Sequence, residues 1–309
     1  MQLIVTAINK DYANISAVRN VSFQINSGDI FALLGPNGAG KSSIIRMLVG
    51  MTRPDSGSIM VSYQHEHYDH VPRRLLGYLP EDRGLYPDKS IEKNLLYLAQ
   101  LHGLSKPKAL QEMAHWLDIF ELTDRRHEDL KQLSKGNQQK VQLIAAVLHR
   151  PALVILDEPF SGLDPLNQEK VVEFLKALKA QGMTVILSAH QMAMVEKLAD
   201  HMLLMAQGRV ILAGTLATIK QQAAPQRQIQ ISCTEPVTIG QLQQWLPGLS
   251  IEQQHATRFL LKLNAEQRVS ATLQQLLQHL ELTQVEMQTA DLHQLYLSAM
   301  AQHQLTEQA

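Results

Sequence analysis

Cysteine is almost missing from this chain. Of 309 residues only Cys233 is a cysteine, which excludes an internal disulfide framework and suits a reducing compartment. Long apolar runs are missing as well. The most apolar stretches, residues 153–156 and 185–187, fall far short of the ~20 apolar residues a membrane-spanning helix needs. They read as buried strands. The opening MQLIVTAINKDY has neither a basic start nor a long apolar core, so no secretory signal is expected and membrane contact is expected only through a partner. Neither sign of charge dominates: 28 Lys+Arg oppose 29 Asp+Glu, for a net charge of -1. Nothing there would hold bulk nucleic acid or an anionic membrane by electrostatics. What the chain does have is a 45% hydrophobic composition, ample for a core and contrary to disorder. Its length suggests two domains.

The patterning predicts an α/β chain. Val21, Phe23 and Ile25 alternate with Ser22 and Gln24, the period of a half-buried strand. They belong to a short antiparallel region within the first forty residues. A turn at Ser27-Gly28 leads to the apolar run 30–34, expected as a strand covered on both faces. A glycine-rich loop at 35–40 and helical character at 41–49 follow. From about 88 to 150 the spacing turns helical, with Leu95, Leu98, Ala99 and Leu101, then Met113, Trp116, Leu117 and Phe120. Ser105 caps a helix that contains Pro107, and Trp116 and Phe120 read as core. Strand–helix alternation resumes at 153–156, 171–178 and 184–187, and a strand pair, 202–205 and 210–213, flanks Gln207-Gly208. The whole predicts a parallel-sheet core with an inserted helical subdomain. Composition shifts after Lys220. Residues 220–227 read as a linker, and 228–309 as a small accessory domain whose first six elements follow the βαββαβ order of a ferredoxin-like α+β sandwich, ending in a helix at 292–300.

Gly35-Pro36-Asn37-Gly38-Ala39-Gly40-Lys41-Ser42 fits G-x-x-x-x-G-K-[ST]. Between a strand and a helix, such a loop curls its backbone around phosphates, and the helix N-terminus adds free N–H groups. Lys41 is placed to bridge the β- and γ-phosphates, and Ser42 to ligate Mg²⁺. The apolar strand 153–156 ends in Asp157-Glu158. Asp157 suits the metal side, and Glu158, pointing elsewhere in the pleat, suits a water aimed at the γ-phosphorus. His65, His67 and His70, with Glu66 and Asp69, permit a metal site but read better as a solvated loop between strands.

Leu133-Ser134-Lys135-Gly136-Asn137-Gln138-Gln139, before an apolar helix at 141–148, resembles the signature of ATP-binding cassette (ABC) ATPases. The order of motifs matches too: phosphate loop, a Tyr78-Leu79-Pro80-Glu81 loop, signature, Asp-Glu strand, Ser161-Gly162-Leu163-Asp164, then His190. The resemblance covers residues 1–219 and implies a P-loop NTPase core binding ATP and Mg²⁺. Along the phosphate loop it implies contacts from Gly35 to Ser42 and from Ser43. It implies that Tyr12, preceding the first strand region, stacks on adenine; a packed surface tyrosine is the plainer reading. Ser134 and Gly136 contact the ATP of a second subunit, His190 contacts the γ-phosphate, and Asp164 couples the two sites. Lys41, Glu158 and His190 form the catalytic set, and Ser42, Glu81 and Asp157 the metal set. Three positions depart from the family: Lys135 replaces glycine, Asn137 replaces glutamine, and Glu81 replaces glutamine. Lys135 points to phosphate or, the better reading, to solvent. Glu81 is a stronger hard-cation ligand than an amide, or an exposed loop acid.

One motif set per chain implies a homodimer. The GYLPEDRGLYP segment, LSKGNQQK and the C-terminal domain look like a bacterial branch of sodium-extrusion and multidrug-export ATPases. That implies an ATP-hydrolysing subunit at the cytoplasmic face, working through an integral membrane permease, with no nucleic acid expected. Two rivals remain. One is a soluble ABC ATPase acting on ribosome or DNA, which the single cassette and the missing basic stripe oppose. The other is a nucleotide-holding module without turnover, which the Asp157-Glu158 pair opposes.

Overall fold

The computed structural model describes residues 1–81, 84–223, 227–263, 267–288 and 292–307. They form two compact units, Met1–Leu216 and Ala217–Ala309. The first unit contains β1 (Gln2–Tyr12), β2 (Ile15–Asn26), β3 (Ile30–Leu34), α1 (Lys41–Leu48), β4 (Ser56–Tyr63), β5 (Glu66–Tyr68), β6 (Leu76–Leu79), α2 (Ile91–Leu101), α3 (Lys106–Ile119), α4 (Lys135–Val147), β7 (Leu153–Asp157), α5 (Pro165–Ala180), β8 (Thr184–Ala189), α6 (Met192–Glu196), β9 (His201–Ala206) and β10 (Arg209–Gly214).

Two sheets are built from these strands. One has the order β2-β1-β4-β5, the other β10-β9-β3-β8-β7-β6. In the first, neighbours run antiparallel. This sheet is larger than the short antiparallel region expected, because the chain returns to it at β4 and β5. The histidine run falls here: Gln64 and His65 both have positive φ, 48° and 68°, and make a two-residue hairpin turn between Tyr63 and Glu66. His67 and part of the expected solvated loop are therefore strand. His67 Nδ1 lies 3.0 Å from Ser62 Oγ and His70 Nδ1 2.7 Å from Asp69 Oδ1. Among the described residues no cluster of three or more His, Cys, Asp or Glu could hold a metal.

In the second sheet, β9, β3, β8, β7 and β6 are parallel and β10 returns antiparallel to β9. β3 and β7 are buried throughout, as continuous apolar runs demand. Ile44, Ile45, Met47 and Leu48 of α1 join both sheets in one apolar cluster, with Leu3, Val5 and Ile25 on one side of the sequence and Phe31, Ile155 and Ile186 on the other. The inserted helices α2, α3 and α4 bury Trp116 and Phe120 as expected. Both rings meet Phe174 of α5, at centroid distances of 5.2 and 4.9 Å, so the insertion is keyed to the helix that follows the Asp-Glu strand.

The second unit contains α7 (Leu216–Ala223, beginning one residue before the division), β11 (Arg227–Cys233), α8 (Ile239–Trp245), β12 (Ser250–His255), β13 (Arg258–Leu263), α9 (Val269–Leu276), β14 (Leu282–Gln288) and α10 (Leu292–Glu307). The expected linker is shorter than the composition suggests. Residues 220–223 complete α7, since Ala, Gln and Lys extend a helix readily, and Arg227 already starts β11; Pro225 lies outside the described residues. β11 to β14 form an antiparallel sheet in the order β12-β13-β11-β14. With α8 and α9 this is the βαββαβ sandwich read from the sequence. Ile229, Ile231, Leu242, Phe259, Leu261 and Leu276 fill its core. α8 stops at Trp245 because Pro247 forces Leu246 out of helical geometry. α10 runs past Met300, since no Gly or Pro interrupts it.

Candidate nucleotide site

Parallel strands put the loops after β3, β6, β7 and β8 at one end of the sheet, where open α/β sheets bind ligands. The loop after β3 is shaped by contact with the far end of the unit. Gly35 has φ 147° and a Cβ there would lie 2.3 Å from Met205 O; Gly40 has φ 102° and a Cβ would lie 2.3 Å from Ala17 O. Both positions require glycine for conformation and for space. The Gly208 amide donates to Ala39 O at 3.1 Å, so the β9–β10 turn backs the loop. Gly38, Asn37, Pro36 and Ala39 complete the cradle, and Ser42 and Ser43 follow Lys41 in the first turn of α1.

Lys41 is buried. Its ammonium donates to Gly35 O at 2.8 Å and Pro36 O at 3.1 Å, and lies 3.7 Å from Glu158 Oε1. A cation thus sits inside the loop where phosphate charge would be neutralised. Ser42 Oγ faces Asp157 Oδ1 at 3.5 Å. These are two hard oxygen donors with a backbone cradle beside them, so the residues present fit both a phosphate chain and a divalent cation.

Asp157 is held by a residue that sequence reasoning did not single out. The parallel register sets Ser188 beside Asp157. Ser188 Oγ donates to Asp157 Oδ1 at 2.5 Å and accepts the Glu158 amide N–H at 3.0 Å. The available signal was a hydroxyl inside the apolar strand TVILSA, two residues before His190.

Glu158 leaves the strand with φ 52°. The left-handed backbone, not alternation along the pleat, aims its carboxylate; for a non-glycine residue this costs about 1–3 kcal/mol and concentrates at functional sites. One oxygen faces Lys41, and the other lies 2.8 Å from Nδ1 of His190, which is exposed after β8. Lys41, Ser42, Asp157, Glu158 and His190 are therefore brought together as one constellation.

The signature residues stand apart from it. Ser134 caps α4, its Oγ accepting the Asn137 N–H at 3.3 Å. α4 therefore starts directly after Ser134, before the apolar stretch expected at 141–148. Gly136 lies in the first turn, where a Cβ would come 3.4 Å from Leu163. Asp164 caps α5, accepting the Asn167 N–H at 3.0 Å and its side-chain amide at 2.5 Å; the backbone bond, then the amide, hold its carboxyl below the usual range. Gln139 donates to Pro159 O at 3.3 Å, tying α4 to the loop after Glu158. Lys135 is exposed. Lys140, deeper in α4, is buried, and desolvation followed by repulsion from Lys170 lowers its pKa.

Tyr12 does not precede the strand region but ends β1. It is half-exposed, with the Lys10 ammonium 5.6 Å from its ring centroid. Glu81 is exposed. The register of Leu79 beside Leu156 brings its loop to the same end of the sheet as Asp157, but it joins none of the constellation's ion pairs.

A protein-family model described as ABC transporter matches residues 18–161, a span that includes the phosphate loop, signature and Asp-Glu pair. The chain is 41% identical over 219 residues to the uncharacterized ABC transporter ATP-binding protein YhaQ of Bacillus subtilis, covering 71% of this chain and 73% of that protein. The chain belongs to the ABC transporter family. Within that family it is an ATP-binding subunit and an ATPase. It is also similar to the Nod factor export ATP-binding protein I of Rhizobium etli, 34% identical over 208 residues and covering 67% of this chain and 66% of that protein. Among solved structures, an ATP-binding subunit of an ABC transporter shares 34% identity at a TM-score of 0.65, covering 72% of this chain and 93% of the other. Among the described residues of this ABC subunit no helix is long and apolar enough to cross a membrane.

Proposed function

We propose that this subunit hydrolyses Mg²⁺-ATP between two copies of the chain and so powers export through a separate integral membrane permease at the cytoplasmic face. The observation that carries the catalytic part is the Glu158 carboxylate between Lys41, 3.7 Å away, and His190, 2.8 Å away, with Asp157 anchored beneath Ser42. Lys41 exchanges its bonds to Gly35 O and Pro36 O for β- and γ-phosphate oxygens. Gly35 to Ser43 cradle the phosphates through backbone N–H groups, except at Pro36, which has none. Ser42 and Asp157, with Glu81 from the neighbouring loop, would hold Mg²⁺, which when bound would neutralise phosphate charge. Glu158 orients a water for in-line attack. A water oxygen bonds to the γ-phosphorus, the bond to the bridging oxygen breaks, and that oxygen leaves with ADP. His190 donates to the transferring phosphoryl group.

Ser134, Gly136 and Asp164 serve the partner copy. The α4 N-terminus at Ser134 and Gly136 presents N–H groups suited to an anion, Asp164 couples the two sites, and none of the three bonds to its own chain's constellation. Tyr12 offers a half-exposed ring for adenine. Export is supported by the likeness to the Nod factor export subunit. Nucleic acid has no role in this reading.

The test joins two measurements. Phosphate release by the purified chain must depend on Mg²⁺ and vanish in Lys41→Ala. A tagged chain must co-purify from detergent-solubilised membranes with an integral membrane protein. Recovery on ribosomes or DNA instead would overturn the transport part while leaving the ATPase part intact.

A further inference from the structure

The edge strand β14 lacks the protection that edge strands ordinarily carry. It lies at the end of the order β12-β13-β11-β14, and Thr283 to Met287 are exposed on both faces. The register sets Val285 beside Ile231 and Met287 beside Ile229. Those isoleucines are fully buried, yet Val285 is 42% and Met287 59% exposed. The helical layer therefore covers β11 and leaves the same face of β14 bare. Edge strands are usually blunted by lysine, proline, a bulge or short length. β14 spans seven residues, LTQVEMQ, with Glu286 its only charge, and its one register irregularity lies at the start, opposite Ser232 and Cys233. The opposite edge differs: Glu252 of β12 is tied to Lys262 at 3.0 Å.

We propose that β14 pairs antiparallel with β14 of a second copy about a two-fold axis through Val285. The strand is self-complementary in that register. Val285 meets Val285, Met287 meets Thr283, and each Glu286 meets a Gln284 amide rather than another carboxylate, so no like charges face each other. Val285 and Met287 from both copies then join into one apolar strip that continues the buried face of β11. The interface is isologous and closes on itself. It does not depend on the nucleotide site, and it would hold two ATPase units at high effective concentration.

Disulfide trapping in the full chain, without nucleotide, tests the register. The two Val285 Cα atoms would lie about 4.5–5.5 Å apart, inside the range a disulfide spans. The two Met287 Cα atoms would be roughly 13 Å apart, four residues along the strand. Val285→Cys should give a covalent dimer on mild oxidation, at least tenfold faster than Met287→Cys, and the double variant Thr283→Cys/Met287→Cys should cross-link again. The parent chain, whose Cys233 is buried, should not. Val285→Lys, with an unchanged circular dichroism spectrum, should weaken self-association at least tenfold by sedimentation. Repeating the trap in Lys41→Ala removes any ATP-driven dimer, so the outcome is independent of the proposed nucleotide sandwich. No cross-link at Val285 would overturn the pairing and leave the edge to another polypeptide. Equal cross-linking at Met287 would overturn the register and the axis.

Discussion

Ser188 donates its hydroxyl to Asp157 Oδ1 at 2.5 Å and accepts the Glu158 amide at 3.0 Å. One fully buried oxygen thus sets both carboxylates of the Asp-Glu pair. Ser188→Ala removes the donor to a buried carboxylate and the acceptor for a strained amide. We expect a 10–100-fold loss in metal affinity or turnover, the scale for removing a partner that orients a ligand. Unfolding stability should fall by about 1–3 kcal/mol. Mg²⁺ titration of phosphate release and denaturant unfolding check the two parts, and an unchanged Mg²⁺ requirement would sink the positioning role.

Glu158→Gln keeps the shape and removes the charge facing Lys41 and His190. Hydrolysis should fall by a factor of at least 10² while ATP binding persists, and an ATP-bound dimer should accumulate. Size-exclusion chromatography with Mg²⁺-ATP reads this out. A monomeric variant with full activity contradicts both the role of Glu158 and the nucleotide-bridged dimer.

Gly40→Ala sets a methyl 2.3 Å from Ala17 O on a backbone with φ 102°. Neither the carbonyl nor the dihedral can yield cheaply, so the loop must shift. We expect loss of detectable nucleotide binding with most of the fold intact. Fluorescent-nucleotide titration beside circular dichroism checks it. Wild-type affinity would show that the loop relaxes without cost.

His149 supplies a pH dependence. Its Nε2 lies 3.0 Å from Leu76 O, its ring stacks on His102 at 3.7 Å, and burial, followed by the His102 charge, lowers its pKa from 6.5 to about 4. A carbonyl only accepts, so Nε2 carries the proton in the neutral ring. Between pH 6.5 and about 4 the unfolded chain binds a proton that the folded chain refuses, so stability falls as pH drops through that window and levels off below it. Melting temperature against pH should be steeper there for the parent than for His149→Asn. Parallel curves would remove His149 as the source.

The chemistry was more legible than the geometry that delivers it. The phosphate loop is fixed by glycine, lysine and serine at set spacing, because each residue type answers a distinct steric or electrostatic demand. The order of elements in the second unit was readable from alternation and turn residues. The pleat alone predicts that Glu158 points away from Asp157, whereas a left-handed backbone turns it, and residue type does not announce that conformation outside glycine. The sequence reading sets Tyr12 before the first strand region, whereas it ends β1, since strand limits carry little sequence signal. Residues 220–223 looked like linker by composition, yet glutamine, lysine and alanine suit a helix equally. Ser188 carries only a faint sequence signal of its role because its partners are 30 and 31 residues away and meet it only through strand register.

The wall behind Gly35 is the carbonyl of Met205, and the turn beside Gly40 is Gly208. The phosphate loop is synthesised well before its backing, which arrives some 170 residues later. A chain emerging from the ribosome carries the whole loop motif long before it can hold the loop's shape. Nucleotide capture by a nascent chain is therefore expected only once residues 205–208 have emerged and docked. Ribosome-bound chains of graded length should acquire ATP affinity as a step at that point rather than soon after Ser43.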